Sequence, residues 1–336
     1  MPAKGLYYLA ALLPPVGRLR TQRDDLAARV AELEVELAQV RGQLSPAEAA
    51  AEAQRRLTPD QQAYALYPPG HFYSPIPDLS DVRERAQRLF DRTGDVRGID
   101  VRLEAQRATL AELAPLIAEW PYAGDPDDTL RYRPDNGYFG HTDGQLWYAL
   151  LRWLAPRRVI EVGSGWSTAL TLDTCERHGL DTEIVAVEPY PERLLSTMTA
   201  ADRQRVTLVQ ERAQDLPAST LADLHPGDVL FIDSTHVSKL GSDVNHLVFE
   251  VFPLLPPGVT VHIHDIAYPF EYPHEWVTEG RAWNEAYLLR AFLMDNPRWQ
   301  IVLWPSLLWL RHPDEMTATL HAGTPVDGGS LWLRTT

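Results

Sequence analysis

The stretch that most constrains the fold runs from Arg158 to Thr168 and reads Arg-Val-Ile-Glu-Val-Gly-Ser-Gly-Trp-Ser-Thr. Its first half is a short apolar, β-branched run and its second half begins a helical pattern with Ser and Thr, which predicts a strand, a tight loop and a helix. Glycine lacks a Cβ atom, so the chain can turn sharply and a ligand can approach the main chain, while the next helix offers unpaired N–H groups. The stretch therefore predicts a ligand-binding loop at the end of a buried strand.

The loop residues favour a nucleoside ligand that carries a positive charge. A complete dinucleotide fingerprint has a third glycine where Thr168 stands, which weakens the prediction of NAD. Glu161 lies in the strand just before the loop and suits a cationic ligand such as S-adenosylmethionine (SAM), which carries an ammonium and a sulfonium group. We expect Glu161, Gly163, Ser164 and Gly165 to contact this cofactor. An NAD-dependent oxidoreductase and an ordinary turn without a ligand are the alternatives.

Composition and charge limit the partners of the chain. Its 336 residues, 45% of them hydrophobic, suffice for one large domain and an accessory region. The formal net charge of −15 argues against a nucleic-acid partner, which needs a basic face, and favours a small neutral or cationic substrate. Cys175 is the single cysteine, so the sequence predicts a reducing, cytoplasmic setting without an internal disulfide.

The N-terminal region carries a short apolar run and a heptad pattern. The run over residues 6–16 is too short to cross a bilayer, so we expect at most a peripheral membrane contact there. The heptad pattern predicts a short coiled coil, which either joins two copies as a homodimer or packs on its own domain. A catalytically silent scaffold built on this coiled coil is a further alternative. The seam consists of Leu26, Val30, Leu33, Leu37, Val40 and Leu44.

The predicted elements divide the chain into three parts. Residues 1–45 form an N-terminal segment with the coiled coil, residues 46–135 a helical and Pro-rich accessory region, and residues 136–336 the main domain. In the main domain strands and helices alternate, which predicts an α/β fold: a Rossmann-like, seven-stranded, mostly parallel sheet with helices on both faces. After the first strand, further strands are predicted at 183–188, 206–210, 229–233, 259–264, 299–304 and 330–334.

The accessory region and the segment 266–284 are predicted to surround the substrate pocket. An aromatic segment at 266–284 is predicted to wall or cover a substrate pocket. The accessory region is predicted to contain helices at 46–57, 79–92 and 101–120, an extended Pro-rich segment at 67–77 and a long loop at 121–139.

Side chains suited to chemistry follow the carboxyl ends of the predicted strands, where parallel sheets bind their ligands. Glu188 ends the second strand and can accept both ribose hydroxyls of a nucleoside. Asp233 ends the fourth strand, and His264 and Asp265 end the fifth, so the three predict a site for a divalent cation such as Mg²⁺ or Mn²⁺. The alternative is that both aspartates cap the helices that follow them.

His236 stands three residues after Asp233, just outside the strand. Imidazole titrates near neutral pH, so His236 can take the proton of a substrate hydroxyl whose acidity a neighbouring cation raises. We therefore predict His236 as the general base, with Asp233 beside it in the catalytic centre. A histidine on a surface loop is the alternative.

Taken together, these motifs resemble class I SAM-dependent methyltransferases. Residues 161–165 are similar to their first motif, Glu188 to their ribose-binding acid, and Ala213-Gln214-Asp215 to the segment that borders the adenine. The spacing of Asp233-Ser-Thr-His236 and the pair His264-Asp265 are similar to metal-dependent O-methyltransferases of the catechol and macrolide-sugar kinds. In those families the first aspartate and a later acidic or amide pair hold magnesium, and a Lys or His three residues past that aspartate is the base. The catechol kind has an acid and then an amide where this chain has His264 and then Asp265.

A bacterial subfamily of methyltransferases with unassigned acceptors is more similar still, over about residues 65–295. The resemblance implies SAM as cofactor, bound by Glu161, Gly163, Ser164, Gly165, Glu188, Ala213, Gln214 and Asp233. The expected reaction is a metal-assisted methyl transfer to a hydroxyl of a sugar, glycoside or secondary metabolite. The shared motifs are Pro-Pro-Gly-His-Phe-Tyr-Ser-Pro at 68–75, Phe231-Ile-Asp-Ser234, Ser242-Asp-Val-Asn245 and His262-Ile-His-Asp-Ile266.

Overall fold

The computed structural model describes Arg29 and residues 66–124, 129–321, 324 and 328–336. The chain forms two compact units, residues 1–76 and residues 77–336. Apart from Arg29, the predicted apolar run, coiled coil and helix at 46–57 lie outside the described residues. The predicted domain boundaries after residues 45 and 135 stay predictions.

In the first unit, residues 66–76 form a compact turn with clustered aromatic side chains. The N–H of Gly70 donates to the carbonyl oxygen of Ile76 at 3.0 Å. The rings of Tyr67 and His71 stack with their centroids 4.8 Å apart. Residues 66–76 contain no helix or strand, as the prolines predict, but the predicted extended segment is wrong because the chain turns back on itself here.

The second unit is built on one seven-stranded sheet with the strand order β3-β2-β1-β4-β5-β7-β6. The first five strands are parallel neighbours, whereas β7 is antiparallel to both β5 and β6. This arrangement confirms the predicted Rossmann-like, mostly parallel sheet. The strands are β1 (Arg158–Val162), β2 (Glu183–Val187), β3 (Val206–Val209), β4 (Val229–Ile232), β5 (Thr260–Ile263), β6 (Trp299–Leu303) and β7 (Leu331–Thr335).

Helices cover both faces of the sheet. Successive side chains of a strand point to opposite faces, and every residue of the central strand β4 is buried, so neither face is open to solvent there. Ile160 and Leu230 belong to one apolar cluster, whereas Val159 and Phe231 belong to the other. The α-helices are α1 (Leu79–Glu84), α2 (Ala86–Leu89), α3 (Leu103–Ile117), α4 (His141–Leu154), α5 (Trp166–His178), α6 (Glu192–Thr197), α7 (Asp202–Arg205), α8 (Ala218–Leu221), α9 (Asp243–His246), α10 (His274–Thr278), α11 (Glu285–Leu293), α12 (Pro305–Arg311) and α13 (Pro313–Thr319).

Local structure differs from the sequence prediction mainly in the accessory region. The single helix predicted at 79–92 is two short helices, α1 and α2. Helix α3 begins only at Leu103, because Arg102 adopts a left-handed conformation with a φ of 51°. Within the described part of the chain, none of the helices is both long and apolar enough to span a membrane.

The start of α4 is tied to the segment before β7. The carboxylate of Asp143 accepts hydrogen bonds from the N–H groups of Gly329 and Ser330 at 3.0 and 3.1 Å. Its Oδ1 also accepts the hydroxyl of Ser330 at 2.5 Å. This buried carboxylate therefore fixes the start of α4 against the end of the sheet where β5 terminates.

Candidate active site

The glycine turn after β1 is in direct backbone contact with the end of β4. Gly163 has a φ of 81°, and its N–H donates to the carbonyl oxygen of Val187 at 3.0 Å. A Cβ atom on Gly163 would lie 1.7 Å from the carbonyl oxygen of Asp233. Only glycine fits such a close approach, so the turn and the acid that ends β4 are held side by side.

The turn is also joined to the end of β2 through Glu188. Its Oε2 accepts the N–H of Ser164 at 3.2 Å, and its Oε1 accepts the N–H of Tyr190 at 2.9 Å. The hydroxyls of Ser164 and Ser234 are buried and have no hydrogen-bond partner among the described residues. Because buried polar groups are normally paired, these orphaned hydroxyls fit a polar ligand at the turn.

Gly165, Ala213 and Gln214 complete the predicted cofactor residues. The N–H of Gly165 donates to the hydroxyl of Thr168 at 3.3 Å at the start of α5. Ala213 and Gln214 lie in a 3₁₀ turn, Ala213–Asp215, that follows β3. Since β3 is the neighbour of β2, this turn lies at the same edge of the sheet as Glu188.

Glu161 lies beneath the glycine turn and is only 1% exposed. Its carboxylate accepts hydrogen bonds from the hydroxyls of Ser167 and Thr168, the latter at 2.5 Å. Burial raises the pKa of Glu161 to about 7, although the two hydroxyls act in the opposite direction. The hydrogen-bond donors to Glu161 in the structure are therefore side chains of α5, whereas the sequence predicts that Glu161 contacts a cationic ligand.

The raised pKa of Glu161 predicts a pH-dependent stability. Glu161 is protonated in the folded chain and ionised in the unfolded chain between its usual pKa of 4.5 and about pH 7. Its contribution is therefore complete below pH 4.5 and is lost as the pH rises through 7. From pH 5 to pH 8 the free energy of unfolding should fall by about 3 kcal/mol more in the wild type than in Glu161→Gln. Urea unfolding of both proteins checks this, and parallel pH curves would contradict it.

Asp233, His236 and Asp265 converge at the ends of β4 and β5. One ligand atom from each of these side chains lies within 4.8 Å of the other two. The Nε2 of His236 is 3.5 Å from Oδ1 of Asp233 and 3.5 Å from Oδ2 of Asp265. Ser242 and Pro273 are the N-cap residues of the α-helices that follow β4 and β5, which does not support the alternative that the two aspartates are helix caps. The cluster offers two oxygens and one nitrogen, a donor set that fits a divalent cation.

The sequence analysis missed Glu285, the partner of His236 on its other side. Oε2 of Glu285 lies 2.9 Å from Nδ1 of His236, and both side chains are at least 95% buried. The N–H groups of Asn284 and Glu285 both donate to the carbonyl oxygen of His236, at 3.1 and 3.2 Å. Residues 284–285 thus hold His236 in a left-handed conformation with a φ of 59°. Its burial also rules out the alternative of a surface histidine.

The charges of this cluster are mutually dependent. Burial lowers the pKa of His236, but hydrogen bonds to Asp233 and Glu285 outweigh it and raise the pKa well above its usual value. Burial raises the pKa of Asp233, but the imidazoles of His264 and His236 outweigh it and hold the pKa below the usual range. For Asp265 burial dominates and the pKa is raised. The cluster therefore stabilises positive charge between its carboxylates.

His264 lies at the edge of this cluster and of a large cavity. Its Nε2 is 3.6 Å from Oδ1 of Asp265, and its Nδ1 is buried without a partner among the described residues. His262, two residues earlier, packs between the rings of Phe231 and Trp332 as a core residue. The structure thus gathers His236 with the two aspartates, and His264 adjoins them through Asp265.

The cavity beside Asp265 has a volume of about 850 Å³. Its walls come from Arg92, residues 134–143, the segment 264–276, helix α12 and residues 328–329. Three of its side chains are aromatic: Tyr138, Trp276 and Trp309. The indole N–H of Trp309 is buried and has no acceptor within the described part of the chain. A volume of this size accommodates a small organic molecule.

Fold and site together define a Rossmann-type α/β protein with a glycine turn next to an acid and imidazole cluster. Its sheet differs from the dinucleotide-binding strand order because the antiparallel β7 is inserted between β5 and β6. A family model described as a methyltransferase domain matches residues 160–266. On this match the chain carries a class I SAM-dependent methyltransferase domain, and SAM is the cofactor of this class.

Three proteins illustrate what the chain is similar to. An uncharacterized protein of Archaeoglobus fulgidus is 33% identical over 165 residues, which cover 48% of this chain and 74% of the relative. The SAH-bound methyltransferase PaMTH1 of Podospora anserina is 17% identical, with a TM-score of 0.40, over 77% of this chain and 95% of its own. The O-methyltransferase TomG of Streptomyces achromogenes, in complex with SAM, is 16% identical with a TM-score of 0.37, over 77% of this chain and 96% of its own.

Proposed function

We propose that this methyltransferase transfers the methyl group of SAM to a hydroxyl oxygen of a sugar, glycoside or other secondary metabolite, assisted by a divalent cation. The backbone contact between Gly163 and Asp233 carries the proposal, because it joins the cofactor turn to the acid cluster. A methyl donor over the turn and a hydroxyl beside the cluster are then neighbours. Such alignment supplies much of the acceleration of a two-substrate transfer.

The cavity beside Asp265 is the proposed acceptor site. It adjoins the cluster through His264 and Asp265 and combines aromatic walls with the unpartnered indole N–H of Trp309. Aromatic faces with a few convergent polar groups suit a molecule that is partly apolar and carries hydroxyls. These features support a small-molecule acceptor.

Each side chain of the cluster has a proposed role. Asp233 and Asp265 hold the cation through oxygen, with His264 as the predicted third donor. When bound, Mg²⁺ or Mn²⁺ supplies a positive charge that lowers the pKa of the acceptor hydroxyl. A cation bound between the carboxylates would replace the proton that they stabilise on His236. The neutral ring could then accept the hydroxyl proton at Nε2 while its Nδ1 stays on Glu285, which keeps the ring in one orientation.

A second role for His236 is favoured by one observation. Its Nε2 belongs to the group of ligand atoms that lie within 4.8 Å of one another, so His236 itself can be the third donor. A histidine that binds a metal usually gives its other ring N–H to a carboxylate, as His236 does to Glu285. Titration of the purified His236→Ala protein with Mn²⁺ separates the two roles, because only a ligand role predicts a large loss of Mn²⁺ affinity.

The decisive experiment is a screen of hydroxylated acceptors with methyl-labelled SAM, in the presence of Mg²⁺, Mn²⁺ or a chelator. We expect transfer to a hydroxyl oxygen and a loss of roughly tenfold or more on chelation, since a cation typically supplies several kcal/mol of charge stabilisation. Full activity in the chelator would contradict the cation. Methyl transfer only to nitrogen or carbon acceptors would contradict the hydroxyl substrate.

Other predictions made from the sequence accompany this proposal. We propose that no nucleic acid takes part and that the chain works in the cytoplasm, on the strength of its charge and its single cysteine. A homodimer through residues 26–44, or a silent scaffold role for that segment, stays a prediction. Sedimentation of the full chain with and without residues 26–44 tests the dimer.

A further inference from the structure

The acidic surroundings of the glycine turn raise the question of what binds the carboxylate of SAM. Glu161 and Glu188 flank the turn, and Asp233 and Asp265 follow on the next strand ends. SAM carries a carboxylate on its methionine moiety as well as its two positive groups. A carboxylate placed among these acids needs a compensating cation, since an uncompensated charge is costly to desolvate.

Arg193 is a cation next to this turn. It belongs to the short helix α6, five residues after Glu188. Its Cδ would be 3.1 Å from a Cβ atom built on Gly165, so the side chain passes directly over the turn. Within the described residues Arg193 forms no ion pair with a carboxylate, and its five N–H donors are therefore available to a ligand.

Tyr138 holds the guanidinium group of Arg193. The Cζ of Arg193 lies 3.7 Å from the centroid of the Tyr138 ring, a cation–π contact. Tyr138 is 61% exposed and also lines the cavity beside Asp265. Arg193 thus stands between the cofactor turn and the proposed acceptor site, and its charge helps to lower the pKa of Asp233.

We propose that Arg193 binds the carboxylate of the methionine moiety of SAM, and that Tyr138 positions its guanidinium group by stacking. A guanidinium group can donate two parallel, charge-assisted hydrogen bonds to one carboxylate. Stacking on the Tyr138 ring holds the guanidinium plane in the orientation that these bonds need. This inference rests on the SAM cofactor of the class and adds the residue that recognises its amino-acid end. It is independent of the metal and of the acceptor.

The test compares two ligands that differ only in this carboxylate: SAM and decarboxylated SAM. Isothermal titration should give Arg193→Gln a roughly 10- to 100-fold weaker affinity for SAM, the usual effect of losing a charge-assisted contact. Its affinity for decarboxylated SAM should stay within about twofold of the wild type. Arg193→Lys keeps the positive charge but lacks the planar guanidinium group, so its loss of affinity for SAM should be smaller than that of Arg193→Gln.

Arg203→Gln is the matched control, because Arg203 is an exposed arginine on the next helix, α7. Among the residues that the structure describes, its guanidinium donates only to the carbonyl oxygen of Leu195. Both ligands should bind this variant as they bind the wild type. The inference would be overturned if Arg193→Gln lost equal affinity for both ligands, or if its affinity for SAM did not fall. Failure of the wild type to bind either ligand would instead overturn the cofactor assignment.

Tyr138→Ala tests the stacking separately. Loss of an exposed cation–π contact should weaken SAM binding by roughly two- to fivefold and should leave decarboxylated SAM unaffected. An equal loss for both ligands would mean that Tyr138 contacts another part of the cofactor. Unfolding curves of each variant that match the wild type ensure that the affinities refer to the folded protein.

Discussion

Replacing His236 with alanine is expected to lower turnover by roughly 10²- to 10⁴-fold, the usual contribution of a positioned acid–base group. Affinity for SAM should stay within about twofold, because the described contacts of His236 are with Asp233, Asp265, Trp283 and Glu285 rather than with the glycine turn. Initial rates with labelled SAM give the first quantity, and titration with S-adenosylhomocysteine gives the second.

Two further variants sharpen this result. Glu285→Gln leaves the ring of His236 in place but removes the carboxylate at its Nδ1, so turnover should fall by a smaller factor than in His236→Ala. His225→Ala is the control, since His225 is largely exposed and precedes β4 at the opposite end of that strand. Wild-type turnover in His236→Ala would remove His236 from the mechanism.

Gly163→Ala is expected to be the most destabilising single methyl addition in the site. The new Cβ would overlap the carbonyl oxygen of Asp233 at 1.7 Å, and the φ of 81° is unfavourable for alanine. Backbone strain and overpacking together should lower the free energy of unfolding by about 3 kcal/mol or more. Urea unfolding measures this loss, and affinity for S-adenosylhomocysteine should fall with it.

Gly179→Ala is the matched control for that substitution. Gly179 also has a left-handed φ, 63°, but a Cβ atom there meets nothing within 4 Å. Its cost should therefore be only that of the backbone conformation, about 1 kcal/mol. Similar losses in the two variants would mean that conformation, and not the contact with Asp233, decides the requirement for glycine at 163.

The sheet could be predicted because its signals are local. The apolar run of β1, the two glycines and the hydroxyl residues that open α5 lie within eleven consecutive residues, and each later strand is a short apolar run of its own. The acids Glu188, Asp233 and Asp265 could be placed for the same reason. Each lies one or two residues after a strand, and the ends of parallel strands meet at one edge.

The partners of those residues could not be predicted, because they depend on distant segments and on backbone conformation. Glu285 reaches His236 across 49 positions of sequence, and the intervening segment has no regular period. His236 and Asp265 both adopt a φ of 59°, which redirects their side chains in a way that residue type does not reveal. This explains why the histidine grouped with Asp233 and Asp265 in the structure is His236. The order of the strand ends alone predicts His264 in that place.

The position of β7 has a consequence for how the chain acquires its activity. This strand is translated after every other strand of the sheet, yet it supplies the second neighbour of β5, which ends beside His264 and Asp265. Until residues 331–335 leave the ribosome, β5 has an open, apolar edge of the kind that pairs with other chains. Nascent chains halted before residue 331 should therefore aggregate or recruit chaperones, and catalytic competence should arise only after β7 has been synthesised.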